Sequence, residues 1–289
     1  MSIRIVTDSS SDITWEYADR NKIKIVPLTI RIGNQIVKES REYNFEEHYN
    51  NYITDKHFSP KTSQPTPQEF FTTFDELNKE GAKNIIVICI SSKLSGTLNS
   101  AQVAKNLFSE KYDNVKIHLI DSKNASFGEG FLVEEAVELI NQGYQAENIV
   151  KELEELVENI HSFLLIPTLK YLYLGGRISI TKYLLAKFLR KMAIIKTAED
   201  GTLQPVGAIG SVEEGISKII KLATKEGKNY PRKMTIVYAV NADLKDEAHK
   251  YITNFLPSEK ITSVKTRAAI TAHVGPSAIA IVFDFGKRK

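Results

Sequence analysis

Residues Ile85-Ile86-Val87-Ile88-Cys89-Ile90 form an uninterrupted apolar run, and the chain turns polar at once in Ser91-Ser92-Lys93-Leu94-Ser95-Gly96-Thr97. Such a run, bounded by polar residues and by helix patterns on either side, predicts a strand buried on both faces, as in a sheet covered by helices. Leu98, Ala101, Ala104 or Lys105, and Phe108 then recur at helical spacing. Ser95 or Thr97 is expected as the cap, and Gly96 leaves the backbone open to close approach. Strand, hydroxyl loop and helix N-terminus together make an anion site: unpaired N–H groups and the positive end of the helix dipole point outward at the carboxyl edge of the sheet. The same stretch also reads as a capped turn with no ligand, since Ser and Thr favour caps everywhere.

The arrangement recurs. Ile3 to Val6 empties into Thr7-Asp8-Ser9-Ser10-Ser11-Asp12 ahead of a helix near Thr14, and Val115 to Ile120 empties into Asp121-Ser122-Lys123-Asn124-Ala125-Ser126 ahead of a helix over 127–141. Strand ends so rich in Ser, Thr and Asp argue for a shared site more strongly than any one of them alone. Between them, Ile23 to Ile30 reads as one strand in which Pro27 suits an edge position or a bend, Gly33-Asn34 as a turn, and Phe45 to Tyr52 as helical. The prolines hold Ser59 to Pro67 extended. Thr66 and Pro67 open a helix carrying Phe70, Phe71, Phe74 and Leu77, and a helix over 146–160 buries Ile149, Leu153, Leu156 and Ile160 on one stripe.

A chain of 289 residues is long for one core. Two α/β domains are expected: 1–160, with a mainly parallel sheet flanked by helices, and 161–289, with a mixed sheet and helices, because Phe163 to Ile166 begins a new alternation. In the second half, Gly175-Gly176 ends a short helix and presents Arg177, Ser179 caps a restarted helix, and Asp200-Gly201 joins a hairpin. His273 is the one histidine taken as functional, and Gly275-Pro276-Ser277 after it predict a shaped loop rather than a helix face. The net charge of +3, with 25% charged residues, gives no case for nucleic acid or membrane binding. No run of about 18 apolar residues is present to span a bilayer, and a lone Cys89 forms no internal disulfide, so a reducing, cytoplasmic setting is expected. Nucleotide-loop, nucleophile-elbow and zinc-protease motifs are missing from the sequence, and neither cofactor nor metal is expected.

In their order and spacing, Thr7-Asp8-Ser9, Thr62-Ser63-Gln64-Pro65, Leu94-Ser95-Gly96-Thr97, Ile120-Asp121-Ser122, Leu174-Gly175-Gly176-Arg177-Ile178 and His273-Val274-Gly275-Pro276 resemble the DegV family over essentially the whole chain. The resemblance implies a bacterial lipid-binding protein of two α/β domains that holds a long-chain fatty acid between them, carboxylate at one end and acyl chain buried. It implies no catalysis by the chain itself. Such a protein serves phospholipid metabolism as the lipid-binding subunit of a fatty acid kinase, presenting the carboxylate to a separate ATP-dependent subunit that makes acyl phosphate, with transient membrane contact to exchange lipid. Carried over by position, Thr62, Ser95 and His273 would bind the carboxylate, Gly96 and Ser126 would belong to an additional head-group loop, and Arg177 would face the kinase partner rather than the lipid. Thr197 stands where the family often has proline after the lysine, and Ser277 where a glycine or other small residue is usual, so the pocket floor is expected to differ. The alternative is a serine-dependent acyl hydrolase with Ser95 as nucleophile, His273 as base and Asp8 or Asp121 orienting the imidazole.

Overall fold

The protein is described from a computed structural model covering residues 2–48, 50–51, 55, 58–179, 191–227 and 230–286. A parallel sheet runs in the order β2 (Lys24–Val26), β1 (Ile3–Asp8), β6 (Asn84–Cys89), β7 (Lys116–Asp121). Every residue of β6 is buried, and its two faces go to different cores. Ile85, Val87 and Cys89 pack with Phe70, Phe74 and Leu77 of α2 (Pro67–Lys79) and Ala101, Ala104 and Phe108 of α3 (Thr97–Lys111). Ile86 and Ile88 pack on the other side, with Phe131 and Leu132 of α4 (Phe127–Asn141) and Leu153 and Leu156 of α5 (Ala146–Val157). Thr66 opens α2 with a capping box shared with Glu69.

Proline overturns one expected element. The stretch Ile23 to Ile30 is not one strand, because Pro27 has no N–H to continue the ladder; the chain leaves the parallel sheet after β2 and pairs again as β3 (Thr29–Ile32) in a separate antiparallel sheet with β4 (Gln35–Lys38) and β5 (Lys61–Ser63). Phe45–His48 forms a 3-10 turn and residues 50–51 are helical, as expected for Phe45 to Tyr52, with the rest of that span outside the described residues. Thr14 caps α1 (Trp15–Arg20) as its position suggests.

The second sheet is mixed, in the order β10 (Leu203–Ile209), β9 (Met192–Thr197), β8 (Ile160–Ile166), β13 (Ile279–Asp284), β11 (Lys233–Tyr238), β12 (Ile261–Lys265), with β11 and β12 parallel and the other neighbours antiparallel. β8 starts three residues earlier than expected, since α5 stops at Val157 and Ile160 already pairs with Asp284. Helices α7 (Val212–Gly227) and α8 (Asp243–Ile252) cover one face through Ile216, Ile219, Ala248 and Ile252. The short α6 (Lys170–Leu174) and α9 (Ala268–Val274) stand between this sheet and the small antiparallel one. The helix expected to restart after Ser179 lies outside the described residues.

The two main sheets share one core. α4 is packed against β1 and β6 on one side and β8 and β13 on the other, so Ile5, Ile86 and Ile88 belong to the same apolar cluster as Val237 and Val282. Phe131 lies inside that cluster and is 1% exposed. Removing its ring leaves a cavity between the sheets, and Phe131→Ala is expected to cost about 3–5 kcal/mol. Trp15 fluorescence and far-ultraviolet circular dichroism in a urea titration should then shift together to a lower midpoint; a transition left at the parent midpoint would show that the second sheet is stable without this shared layer.

Candidate ligand-binding site

Three polar loops meet at the carboxyl edge of the parallel sheet: the Ser9–Ser11 turn after β1, residues 91–96 after β6, and 122–126 after β7. They face β8, β11 and β13, and the space between is a cavity of about 900 Å³, counting the part open at its mouth, to which Ser10, Ser95 and Ser126 all contribute. Leu28, Ile90, Leu164, Leu172, Val237 and Val282 make much of the wall, and the exposed surface inside is almost wholly apolar. An apolar wall with a few converging polar groups is the make-up of small-molecule sites.

Its polar end is assembled from distant parts of the chain. Pairing of Ile30 with Thr62 fixes β5 against β3, and Thr62 Oγ1 lies 2.8 Å from His273 Nε2. His273 sits in the last turn of α9, not in the loop expected for it: the alanines ahead of it are strong helix formers, and the turn comes only at Gly275, whose φ is +88°. Burial, with the neighbouring Arg177 and Lys61 charges, lowers His273 to about 4. The imidazole is therefore neutral near pH 7 and carries one hydrogen. Nδ1 is buried without a hydrogen-bond partner among the described residues, packed against Gly175 so closely that a Cβ there would run into it. A buried N–H without an acceptor is rarer than a buried lone pair without a donor, which assigns the hydrogen to Nε2. Nε2–H then donates to Thr62 Oγ1, and the Thr62 hydroxyl hydrogen is left to point at a ligand.

Ser95 lines the same end, with Oγ 2.9 Å from Thr97 Oγ1. Neither residue caps α3 as expected. Gly96 occupies the N-cap with no side-chain cap bond, and Ser95, the residue before it, accepts from Thr97 N at 3.4 Å. Gly96 is instead packed under the Gln64 side chain. Arg177 is half-buried at the cavity wall, where Nε donates to Leu94 O at 3.1 Å and Nη1 to Gly175 O at 2.5 Å, tying the end of α6 to the loop that carries Ser95. Ser126 also lines the cavity, but its Oγ donates to Asp12 Oδ2. Of the two departures noted in the sequence, Thr197 is part of the wall and Ser277 is not among the lining residues.

The sequence did not disclose a buried acidic network behind this wall. Asp12 accepts from Ser126 Oγ, from Thr266 Oγ1 at 2.6 Å and from Arg267 N at 2.8 Å. Arg267 returns the link by donating to Ser9 O at 2.9 Å and to Ile13 O, with its guanidinium 4.4 Å over the Trp15 ring. Glu39 accepts from Ser9 Oγ at 2.5 Å and Ala269 N at 2.8 Å, and burial raises it to about 7. Asp8 accepts from Ser10 N at 2.9 Å, from Ser10 Oγ and from Ile90 N at 3.0 Å, and Glu129 accepts from Thr7 at 2.8 Å and lies 3.1 Å from Ser10 Oγ. Burial pushes Asp8 and Asp12 up, opposed by these donors and Arg267, and drives Glu129 well above the carboxylate range. The only signal in the sequence was the density of acids and hydroxyls in Thr7 to Asp12.

The parts of a catalytic triad are not joined. Ser95 makes no hydrogen bond to His273 among the described residues, Asp8 is engaged as above, and Asp121 accepts from Ser92 N at 3.2 Å and Lys123 N at 3.0 Å.

Fold and site together define an α/β protein with a largely apolar cavity between two sheets and hydroxyls at one end. The DegV family model matches residues 2–285, and the chain belongs to that family. A DegV domain-containing protein of Staphylococcus aureus is 34% identical over 279 residues, covering 96% of this chain and 97% of the relative. Among solved structures, a fatty-acid-binding DegV family protein from Thermus thermophilus superposes with TM-score 0.87 at 26% identity, covering 98% and 99% of the two chains. DegV of Bacillus subtilis, described as a fatty acid binding protein, superposes with TM-score 0.82 at 28% identity over 99% of both.

The neutral state of His273 has a measurable consequence. Unfolding restores its ordinary pKa of about 6.5, so its contribution to stability is full above that pH and is lost as pH falls toward 4. Glu39 acts with the opposite sign, contributing at low pH and losing that contribution as pH rises through about 7. The difference in unfolding free energy between the parent and His273→Gln isolates the histidine. It should shrink by about 2–3 kcal/mol from pH 7 to 4.5, and a difference that stays constant would mean the imidazole is not held neutral.

Proposed function

We propose that this protein binds a long-chain fatty acid in the cavity, with the carboxylate at Thr62 and Ser95, His273 behind Thr62, and the acyl chain along the apolar wall. The observation that carries the reading is a largely apolar cavity whose polar end presents two hydroxyls backed by groups able to donate to them. A neutral imidazole suits this role. It donates to Thr62 Oγ1 and so strengthens the outward O–H as a donor to an anion. The fatty-acid-binding relatives support the ligand class. The two units of this reading meet at the start of β8, 1–160 and 161–289.

Most of the gross affinity comes from the tail, at about 0.8 kcal/mol for each buried methylene, and the head group sets the register. The chain contributes no acid or base to a reaction of its own in this reading. It holds the carboxylate for a separate ATP-dependent kinase subunit, in line with the family resemblance, and Arg177 lies at the same end with one nitrogen, Nη2, uncommitted among the described residues.

Titration of delipidated protein with palmitic acid tests the site. Thr62→Ala and Ser95→Ala should each weaken binding by about 1.5–3 kcal/mol while the unfolding midpoint stays near that of the parent. If both variants bind as tightly as the parent, the carboxylate lies elsewhere; if the parent takes up no fatty acid, the ligand class is wrong.

A further inference from the structure

Six of the eight hydroxyls on the cavity wall fall into two sets, Thr197 and Tyr238 belonging to neither. Thr62 and Ser95 are paired with His273 Nε2 and Thr97 Oγ1, groups that can donate in return, so their own hydrogens are available to a ligand. Ser10, Ser126, Ser162 and Thr266 line the same cavity, but their hydrogens are turned into the wall. Ser126 and Thr266 give theirs to Asp12 Oδ2, Ser10 gives its hydrogen to Asp8 Oδ1, and Ser162 gives its hydrogen to Asn124 Oδ1 at 2.7 Å. The second set shares no hydrogen bond with the first among the described residues. It also occupies a different part of the wall: Ile13 and Phe127, the neighbours of Asp12 and Ser126 in sequence, pack with Val237 and Val282, whereas Leu172 and Val274 beside the His273 end belong to another cluster.

Asp12 is costly to keep there. It is 2% exposed, and both it and Ser126 hold the left-handed backbone that residues with side chains avoid, φ +55° and +57°. Conformational strain of this kind persists where the surroundings enforce it, and it points to function. The carboxylate accepts from Arg267 N and balances the Arg267 guanidinium, and with its other oxygen it collects the hydrogens of two cavity hydroxyls and holds them away from the ligand.

We infer that Asp12, with Asp8 behind Ser10, determines which end of a fatty acid enters the part of the cavity lined by Ser10, Ser126 and Thr266. The inference rests on the fatty acid reading above and adds an orientation rule to it. A methyl end meets apolar atoms and hydroxyl oxygens that are already satisfied. An anionic end finds the hydrogens of these four hydroxyls already committed and meets the carboxylates behind them, while Thr62 and Ser95 offer donors at the other end. Rejection of the wrong orientation is thus built from an unfavourable element as well as a favourable one. A ligand with a carboxylate at both ends cannot satisfy the rule.

The test compares palmitic acid, hexadecanedioic acid and 16-hydroxypalmitic acid on the delipidated parent, Asp12→Asn and Thr266→Val. The parent should bind the diacid at least about tenfold more weakly than palmitic acid. Asparagine accepts the left-handed backbone and brings donors of its own, so Asp12→Asn should narrow that ratio several-fold. A dry wall without an acidic device would penalise the diacid equally in both proteins, and an unchanged ratio overturns the inference. So does equal binding of palmitic acid and the diacid by the parent. If Asp12→Asn does not fold by circular dichroism, Thr266→Val decides: it vacates one acceptor position on Asp12, and 16-hydroxypalmitic acid should gain several-fold relative to palmitic acid, whereas an unchanged ratio contradicts the assignment. Failure of palmitic acid to bind the parent would instead remove the fatty acid reading, and this inference with it.

Discussion

Burial of β6 on both faces is the constraint from which the rest of the structure follows. With Ile85, Val87 and Cys89 committed to one core and Ile86 and Ile88 to the other, no side chain of the central strand is free for chemistry. Polar function is pushed to the ends of the strands, where loops need hydroxyls and carboxylates to satisfy their own backbone. The same constraint places α4 between two sheets and leaves, where its N-terminus meets the second sheet, a space that protein atoms do not fill.

The site holds two opposite solutions to the problem of polar groups in a dry place. At the Thr62 end the imidazole stays neutral, so no fixed charge on it needs a partner there, and the cations in reach are Arg177 and Lys61. Behind the inner wall the protein buries several carboxylates and supplies them with hydroxyls, backbone N–H groups and one guanidinium, Arg267. Buried polar networks of this type are tolerated only when their members are satisfied. Arg267 serves both purposes at once, since it balances Asp12 and fastens the loop after β12 to the turn after β1.

Much of the fold was readable because it depends on local pattern. The apolar run at β6, the cap at Thr66 and the three hydroxyl loops all declare themselves within a dozen residues. What failed depended on tertiary choice. Pro27 suits an edge position or a bend within one strand, and only the competing partners β1 and β5 decide for a break. His273 precedes Gly275-Pro276, which resemble a loop, yet the alanines before it carry the helix one turn further. For the candidate site, Thr62 and His273 lie 211 residues apart and Asp12 and Thr266 lie 254 apart. Family resemblance could pair the first two; no periodicity in the chain could pair the second.

The central claim is that a fatty acid carboxylate sits against the Thr62 hydroxyl. Carbon-13 NMR of palmitic acid labelled at the carboxyl carbon and bound to the protein reads that contact at one atom. The account predicts a single bound carboxyl resonance, displaced from that of the free acid and moved again in Thr62→Ala. A resonance at the free position, or a bound one indifferent to Thr62→Ala, would contradict it.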